Sequence, residues 1–188
     1  MEAGKLIALT GAKTVGKTTI AEAVAALSDD VHILSFAAPI RKMLIALGVS
    51  ENNLNVEKEA VVDGLNQSAR QMLCTLGTDW GRNMVHPNIW LWAMDQQISE
   101  VYRNAKNKSH VVIIIDDCRF ANEAAWVAKK GGQIVELKRD GIRYTHEHIT
   151  EKPLPDSLID WCFDAGGVQN CVKNIVQNIL AQYFALYF

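Results

Sequence analysis

The sequence predicts an α/β fold: a parallel sheet of about five strands flanked by helices, in a single domain over residues 1–188. Three observations predict it. Short apolar runs alternate with helix-forming stretches along the chain. Val111-Val112-Ile113-Ile114-Ile115 is β-branched throughout with no polar alternation, the pattern of a central parallel strand buried on both faces. Finally, Gly11-Ala12-Lys13-Thr14-Val15-Gly16-Lys17-Thr18 matches the phosphate-loop pattern G-x-x-x-x-G-K-[ST] at every fixed position. It stands between an apolar run and a helix start, the context of a three-layer phosphate-loop (P-loop) fold.

The elements follow in order. Leu6-Ile7-Ala8-Leu9 reads as the first strand and Thr19 to Leu27 as the first helix, with the phosphate loop between them. His32 to Phe36 reads as a second strand. Pro39 is placed for the first turn of a helix over Ile40–Leu47, ending near Gly48. Arg41 and Lys42 stand at the start of that helix, where cations oppose the dipole; an anionic ligand would give the placement a reason. Ser50 to Ser68 is polar and acidic, a surface excursion with a short helix expected around Val56–Val62. Ala69 to Leu76 returns to helix and is expected to stop at Gly77; a further helix runs from about Trp90 to Arg103.

After the β-branched strand come Asp116-Asp117 and Cys118-Arg119-Phe120, then a helix over Ala124–Lys130 closed by Gly131-Gly132. Gln133 to Leu137 is the fourth strand. Residues 142–158 are polar and proline-punctuated and read as a loop or lid. A short strand over Asp160–Asp164 precedes a C-terminal amphipathic helix, with apolar residues at three- and four-residue spacing from Val168 to Phe184.

Composition narrows the class. Hydrophobic residues at 49% and charged residues at 21% exclude pervasive disorder, and a net charge of −2 supplies no global field toward a nucleic acid polymer or an anionic membrane. Met1 to Lys5 runs straight into the first strand, so no signal peptide is expected, and no apolar run is long enough to span a membrane. Cys74, Cys118, Cys162 and Cys171 show no C-x-x-C pairing or zinc-ligand spacing and read as buried thiols of a reducing, cytoplasmic compartment. Oligomeric state is left open, a homodimer included.

The chemistry concentrates where strands end. In the phosphate loop, backbone N–H groups and a helix N-terminus converge on an anion; Gly11 and Gly16 allow the turn and the close approach. The nucleoside triphosphate site is expected to take Gly11, Ala12, Lys13, Thr14, Val15, Gly16, Lys17, Thr18 and Thr19, with Lys17 on the β- and γ-phosphates. Thr18 and Asp116 are the expected Mg²⁺ ligands, Asp117 the second choice; the alternative is that one aspartate caps the following helix. The sheet edge is expected to gather the loop, the aspartates and most of the arginines. Arg41, Lys42, Arg70, Arg82, Arg119, Arg139 and Arg143 exceed what one triphosphate needs, which suggests a second phosphorylated substrate. No clear general base accompanies them. A monophosphate acceptor needs none, since its second pKa of about 6 makes it largely a dianion at neutral pH. Trp90 could stack on a base or pack in the core. No N-K-x-D guanine-reading motif is present.

At these residues the chain resembles the deoxynucleoside monophosphate kinases of tailed bacteriophages, in the adenylate-kinase-like branch of P-loop kinases. The resemblance is carried by the phosphate loop, by Phe36-Ala37-Ala38-Pro39-Ile40-Arg41-Lys42, and by Arg70-Gln71 with Leu76-Gly77-Thr78-Asp79-Trp80-Gly81-Arg82. Trp90, the Asp116 to Glu123 block and His148-Ile149-Thr150-Glu151 continue it. Thr18 and Thr150 depart from the aspartate and serine of many phage members. The resemblance implies ATP- and Mg²⁺-dependent conversion of a deoxynucleoside monophosphate to its diphosphate in the host cytoplasm. It implies a monophosphate-binding region over 36–105 and monophosphate contacts from Arg41, Arg70 and Arg119, joined by Phe36, Lys42, Gln71, Asp79, Arg82, Trp90, Asp117 and Glu151. It places lid cations at Arg139 and Arg143 in a 139–158 segment, acting in catalysis with Lys17 and Arg119. A P-loop kinase of another small molecule, such as dephospho-coenzyme A, and a non-catalytic nucleotide-dependent module are the alternatives.

Overall fold

A computed structural model describes residues 4–144 and 152–184. Five strands form one parallel sheet: β1 (Lys5–Thr10), β2 (Val31–Leu34), β5 (Val112–Ile115), β6 (Gln133–Lys138) and β7 (Trp161–Asp164), in the order β2-β5-β1-β6-β7. The register pairs Ala8 with Ile115, Leu34 with Ile115, Thr10 with Glu136 and Lys138 with Asp164. All strand ends therefore share one edge, and the order reverses about β1, the arrangement that opens a ligand crevice beyond the carboxyl ends.

Alternation along the strands builds two faces. Ile7, Leu9, Val112, Ile114, Val135 and Leu137 pack with α1 (Lys17–Ala25) and α7 (Val168–Ile175). The C-terminal helix continues past α7 through wider, π-helical turns at Val176–Leu180 and a last turn, α8 (Ala181–Phe184). On the opposite face α6 (Ala121–Lys129) lies close enough that a Cβ on Gly132 would strike both Val127 and Leu6. The β-branched run is as buried as its pattern requires, Ile113, Ile114 and Ile115 being 1% exposed or less.

The chain divides into two compact units, the first from residues up to Ser35 and from Gln97 onward, the second from Phe36 to Gln96. The second holds α2 (Ala38–Ala46), α3 (Glu51–Asn55), the two-stranded β3–β4 (Val61–Val62, Gln67–Ser68), α4 (Ala69–Cys74) and the start of α5 (Ile89–Asn104). One cluster of its buried residues is Leu44, Val49, Leu54 and Ala69, and Phe36, Trp90 and Met94 are buried in it as well.

Three local expectations are corrected here. The short helix lies at Glu51–Asn55, not Val56–Val62, because the Ser50 hydroxyl accepts the Asn53 N–H at 3.1 Å and starts the helix early. Val61-Val62 is a strand of a hairpin whose loop uses left-handed Gly64 (φ 79°) and Asn66 (φ 51°). The helix of α4 does not stop at Gly77 but runs on in π-helical turns over Thr75–Val85. Gly77 and Gly81 serve contact, not termination: a Cβ at Gly81 would run into the Trp90 ring, and one at Gly77 would crowd Ile40. Asp79 and Arg82 consequently lie on a helical stretch.

Candidate active site

In the first unit, the turn after β1 reverses backbone handedness repeatedly: Gly11 has φ 138°, Thr14 φ 66° and Gly16 φ 108°. Such alternation curls N–H groups around a concavity suited to anions, and α1 begins directly behind it at Lys17. The two glycines serve different ends. A Cβ on Gly11 would lie 2.5 Å from the Leu137 carbonyl, so the neighbouring strand β6 demands glycine there. Among the described residues nothing crowds Gly16; its left-handed backbone is the requirement.

Lys17 is 9% exposed, and its Nζ donates to the carbonyls of Gly11 and Ala12, each at 2.8 Å, which holds the ammonium in the hollow of the loop. Burial, aided by the Arg119 cation, lowers its pKa to about 8 against the opposing pull of Asp116 and Asp117. Lys17, Arg119 and both aspartates thus form one electrostatic cluster. The Thr18 hydroxyl donates to Asp116 Oδ2 at 2.8 Å. A hydroxyl and a carboxylate brought together from α1 and the end of β5 are a hard-oxygen pair that suits Mg²⁺ completed by phosphate and water. Among the described residues there is no cluster of three or more His, Cys, Asp or Glu fit to hold a metal by protein ligands alone.

Asp117 has a different partner, accepting from Ser35 Oγ at 2.6 Å. The helix-capping alternative for the aspartates falls away, because Glu123, 2% exposed, closes the start of α6. Its Oε2 accepts the N–H of Arg119 at 2.8 Å and of Phe120 at 3.0 Å, setting the turn from which Arg119 projects. The Asp116 carboxylate takes the Thr18 hydroxyl. Cys118, between the two working residues, is buried, and burial raises its thiol pKa well above the ordinary value. The expectation of four buried thiols is corrected at Cys162, which is exposed on β7, and Cys74, which is half-buried.

Arg139 and Arg143 are exposed in the turn after β6. Beside them Tyr144 donates to Glu136 Oε1 at 3.1 Å, and Lys138 pairs with Glu136 Oε2 at 3.0 Å. Glu136 is 7% exposed and pairs in register with Thr10, so a buried carboxylate backs the phosphate loop. Glu151, His146, His148 and Thr150 lie outside the described residues.

The second unit carries the other predicted cations. Arg41 donates from Nη1 to the Leu54 carbonyl and Asn55 Oδ1, both at 3.0 Å. The sequence could not show this partner: the guanidinium opposes the dipole of its own α2 but complements the carbonyl end of α3. Arg70 Nε lies 3.5 Å from Glu59 Oε1. Gln71 is a structural cap, its Oε1 accepting the Ser68 N–H at 2.9 Å while its own N–H donates to Ser68 Oγ at 3.2 Å. Lys42 and Asp79 are exposed and Arg82 half-buried. Phe36 and Trp90 are each 3% exposed. Trp90 Nε1 donates to the Gly77 carbonyl at 2.7 Å, so its ring is core and base stacking is withdrawn.

Ser35 and Glu123 are the site residues that sequence reasoning passed over as strand and helix. Glu123 had a signal, an acidic residue at the third helical position. Ser35 had none, since its partner is remote in sequence.

A family model described as deoxynucleotide monophosphate kinase matches residues 46–168. A protein of Acanthamoeba polyphaga mimivirus, described as a putative deoxynucleotide monophosphate kinase, is 31% identical over 79% of this chain and 81% of its own length. The tunicamycin resistance protein of Deinococcus radiodurans (14% identity, TM-score 0.50, 94% of this chain and 95% of that one) shares the fold. So does a Thermus thermophilus protein (16% identity, TM-score 0.52, 96% and 98%).

Proposed function

Because the chain belongs to the deoxynucleotide monophosphate kinase family, we propose that it transfers the γ-phosphoryl group of ATP to a deoxynucleoside monophosphate. The products are ADP and the deoxynucleoside diphosphate. The observation that carries this reading is the convergence of Lys17, Thr18, Asp116, Asp117 and Arg119 behind a phosphate loop at one sheet edge.

Mg²⁺, when bound beside Thr18 and Asp116, would neutralise charge on the β- and γ-phosphates. The loop amides of residues 11–19 hold the triphosphate, and Lys17 exchanges its carbonyl partners for phosphate oxygens. An acceptor phosphate oxygen attacks the γ-phosphorus as the bond to the β–γ bridging oxygen breaks, leaving ADP. The acceptor is already anionic, so no proton need be removed from it. Arg119 faces the transferring group. Arg41 and Arg70 contact the acceptor phosphate, joined by Lys42, Asp79 and Arg82, with Arg139 and Arg143 as closing cations. Phe36 acts by packing and Gln71 as a helix cap. No described helix is long and apolar enough to cross a membrane. The mimivirus relative and the cysteine pattern support a virus-encoded enzyme working in host cytoplasm.

The test is steady-state ADP formation with Mg²⁺ against the four common deoxynucleoside monophosphates, their ribonucleotide counterparts and dephospho-coenzyme A. Turnover with one or more deoxynucleoside monophosphates is expected. Turnover of dephospho-coenzyme A alone, or ATP binding with no turnover of any acceptor, would overturn the proposal.

A further inference from the structure

Asp116 and Asp117 are adjacent at the end of β5, yet each takes a hydroxyl from a different element. Thr18, at the start of α1, donates to Asp116 at 2.8 Å. Ser35, the residue after β2, donates to Asp117 at 2.6 Å, a short charge-assisted bond. The serine is itself fixed by sheet register: β2 pairs Leu34 with Ile115, and the Asp116 N–H donates to the Leu34 carbonyl at 3.2 Å. Gln97 Nε2 donates to the Ser35 carbonyl at 3.4 Å. Ser35 and Gln97 are also the residues at which the chain leaves the first unit and returns to it.

Two carboxylates beside one ammonium pose a problem of assignment. If both turned toward the polyphosphate, their charge would repel it; if both turned away, the metal side would lack a carboxylate. A hydroxyl bond from a different element distinguishes the two. Resting on the kinase reading above, we propose that Ser35 is a positioning residue: its hydroxyl holds the Asp117 carboxylate for the phosphoryl acceptor, and Asp116, paired with Thr18, is thereby the metal-side carboxylate.

The experiment compares Ser35→Ala, Ser35→Thr, Asp117→Asn and the Ser35→Ala/Asp117→Asn double variant. Kinetics use the deoxynucleoside monophosphate that the wild-type chain turns over fastest, and calorimetry measures ATP binding with and without Mg²⁺. Ser35→Ala is expected to lower kcat/KM for the acceptor about tenfold, while Mg²⁺-dependent ATP affinity stays within about twofold. Ser35→Thr restores most of the loss. In the Asp117→Asn background the serine change adds less than about twofold, because both changes act through one contact.

Unchanged acceptor kinetics in Ser35→Ala, an additive double variant, or loss of Mg²⁺-dependent ATP binding would overturn the assignment. Should Ser35→Ala lower the melting temperature, Asp117→Asn decides: losing Mg²⁺-dependent ATP binding refutes the proposal, and losing only acceptor turnover supports it. A wild-type chain that turns over no nucleoside monophosphate defeats the functional reading, and this inference with it. An active wild-type chain indifferent to Ser35 defeats this inference alone.

Discussion

The two units of the chain are built to different standards. The first buries long runs of strand residues, with Ile7, Ala8, Ile115 and Val135 at 0% exposure, between helices on both sheet faces. The second packs a small cluster of Leu44, Val49, Leu54 and Ala69 and buries a few large side chains such as Trp90 and Met94. Among the described residues, every exposed large hydrophobic except Val168 belongs to it, including Leu47 at 72%, Met84 at 77% and Trp92 at 63%. A smaller unit buries a lower fraction of its surface and is correspondingly less stable. The proposed donor-side residues therefore stand on the larger core, Lys17 and Thr18 at the start of α1 and Asp116 directly after β5. The proposed acceptor cations Arg41 and Arg70 are held on short elements by a carbonyl end and an exposed carboxylate. Under the proposed assignment, preorganisation in this chain is concentrated on the triphosphate side.

Substitutions can break or sharpen that contrast. The largest effect is expected at Lys17→Ala, which should reduce ADP formation by roughly 10³-fold or more while leaving the circular dichroism spectrum unchanged. Retained activity would remove the lysine from its role and the first unit from its place as donor site. Next, Arg70→Ala and Arg41→Ala should raise the acceptor KM by roughly ten- to a hundredfold, with ATP affinity held. A loss of ATP affinity instead would erase the proposed division of labour.

Trp90→Ala removes a buried ring and its bond to Gly77, and should lower the unfolding free energy by about 3–5 kcal/mol in chemical denaturation. If the second unit is the weaker one, protease susceptibility should rise first within 36–96.

pH gives a smaller effect. Lys17, at a pKa of about 8 in the free protein, is protonated below that value and loses its charge above it. Bound phosphates favour the ammonium, so binding above pH 8 takes up a proton. ATP affinity should be full below about pH 8 and fall by up to about tenfold per unit above it. A flat profile from pH 7 to 9.5 would refute the coupling. Smallest of all, Glu59→Gln removes an exposed partner of Arg70 and should change stability by less than about 0.5 kcal/mol in a thermal melt.

How much was legible in advance follows the range of each interaction. The phosphate loop, the β-branched strand and the amphipathic C-terminal helix declare themselves through contiguous residues, and each formed as read. The hairpin at Asp63-Gly64 carried a turn signal that the polar composition around it obscured. The glycines at 77 and 81 misled, because a glycine that ends a helix and one that admits a tryptophan ring look alike in one dimension. Trp90 was undecidable for the same reason: its partner is a carbonyl thirteen residues away.

The order of residues by itself determined the parallel α/β class, the anion-binding loop and the presence of paired aspartates after the apolar strand, since all of these arise from spacing within a few residues. Only the tertiary structure decided which hydroxyl holds which aspartate, that Glu123 and not an aspartate closes α6, and that Arg41 completes the end of α3. Those pairings join segments that strand register brings together, and a donor's choice among acceptors is settled by distance, which a linear sequence does not contain.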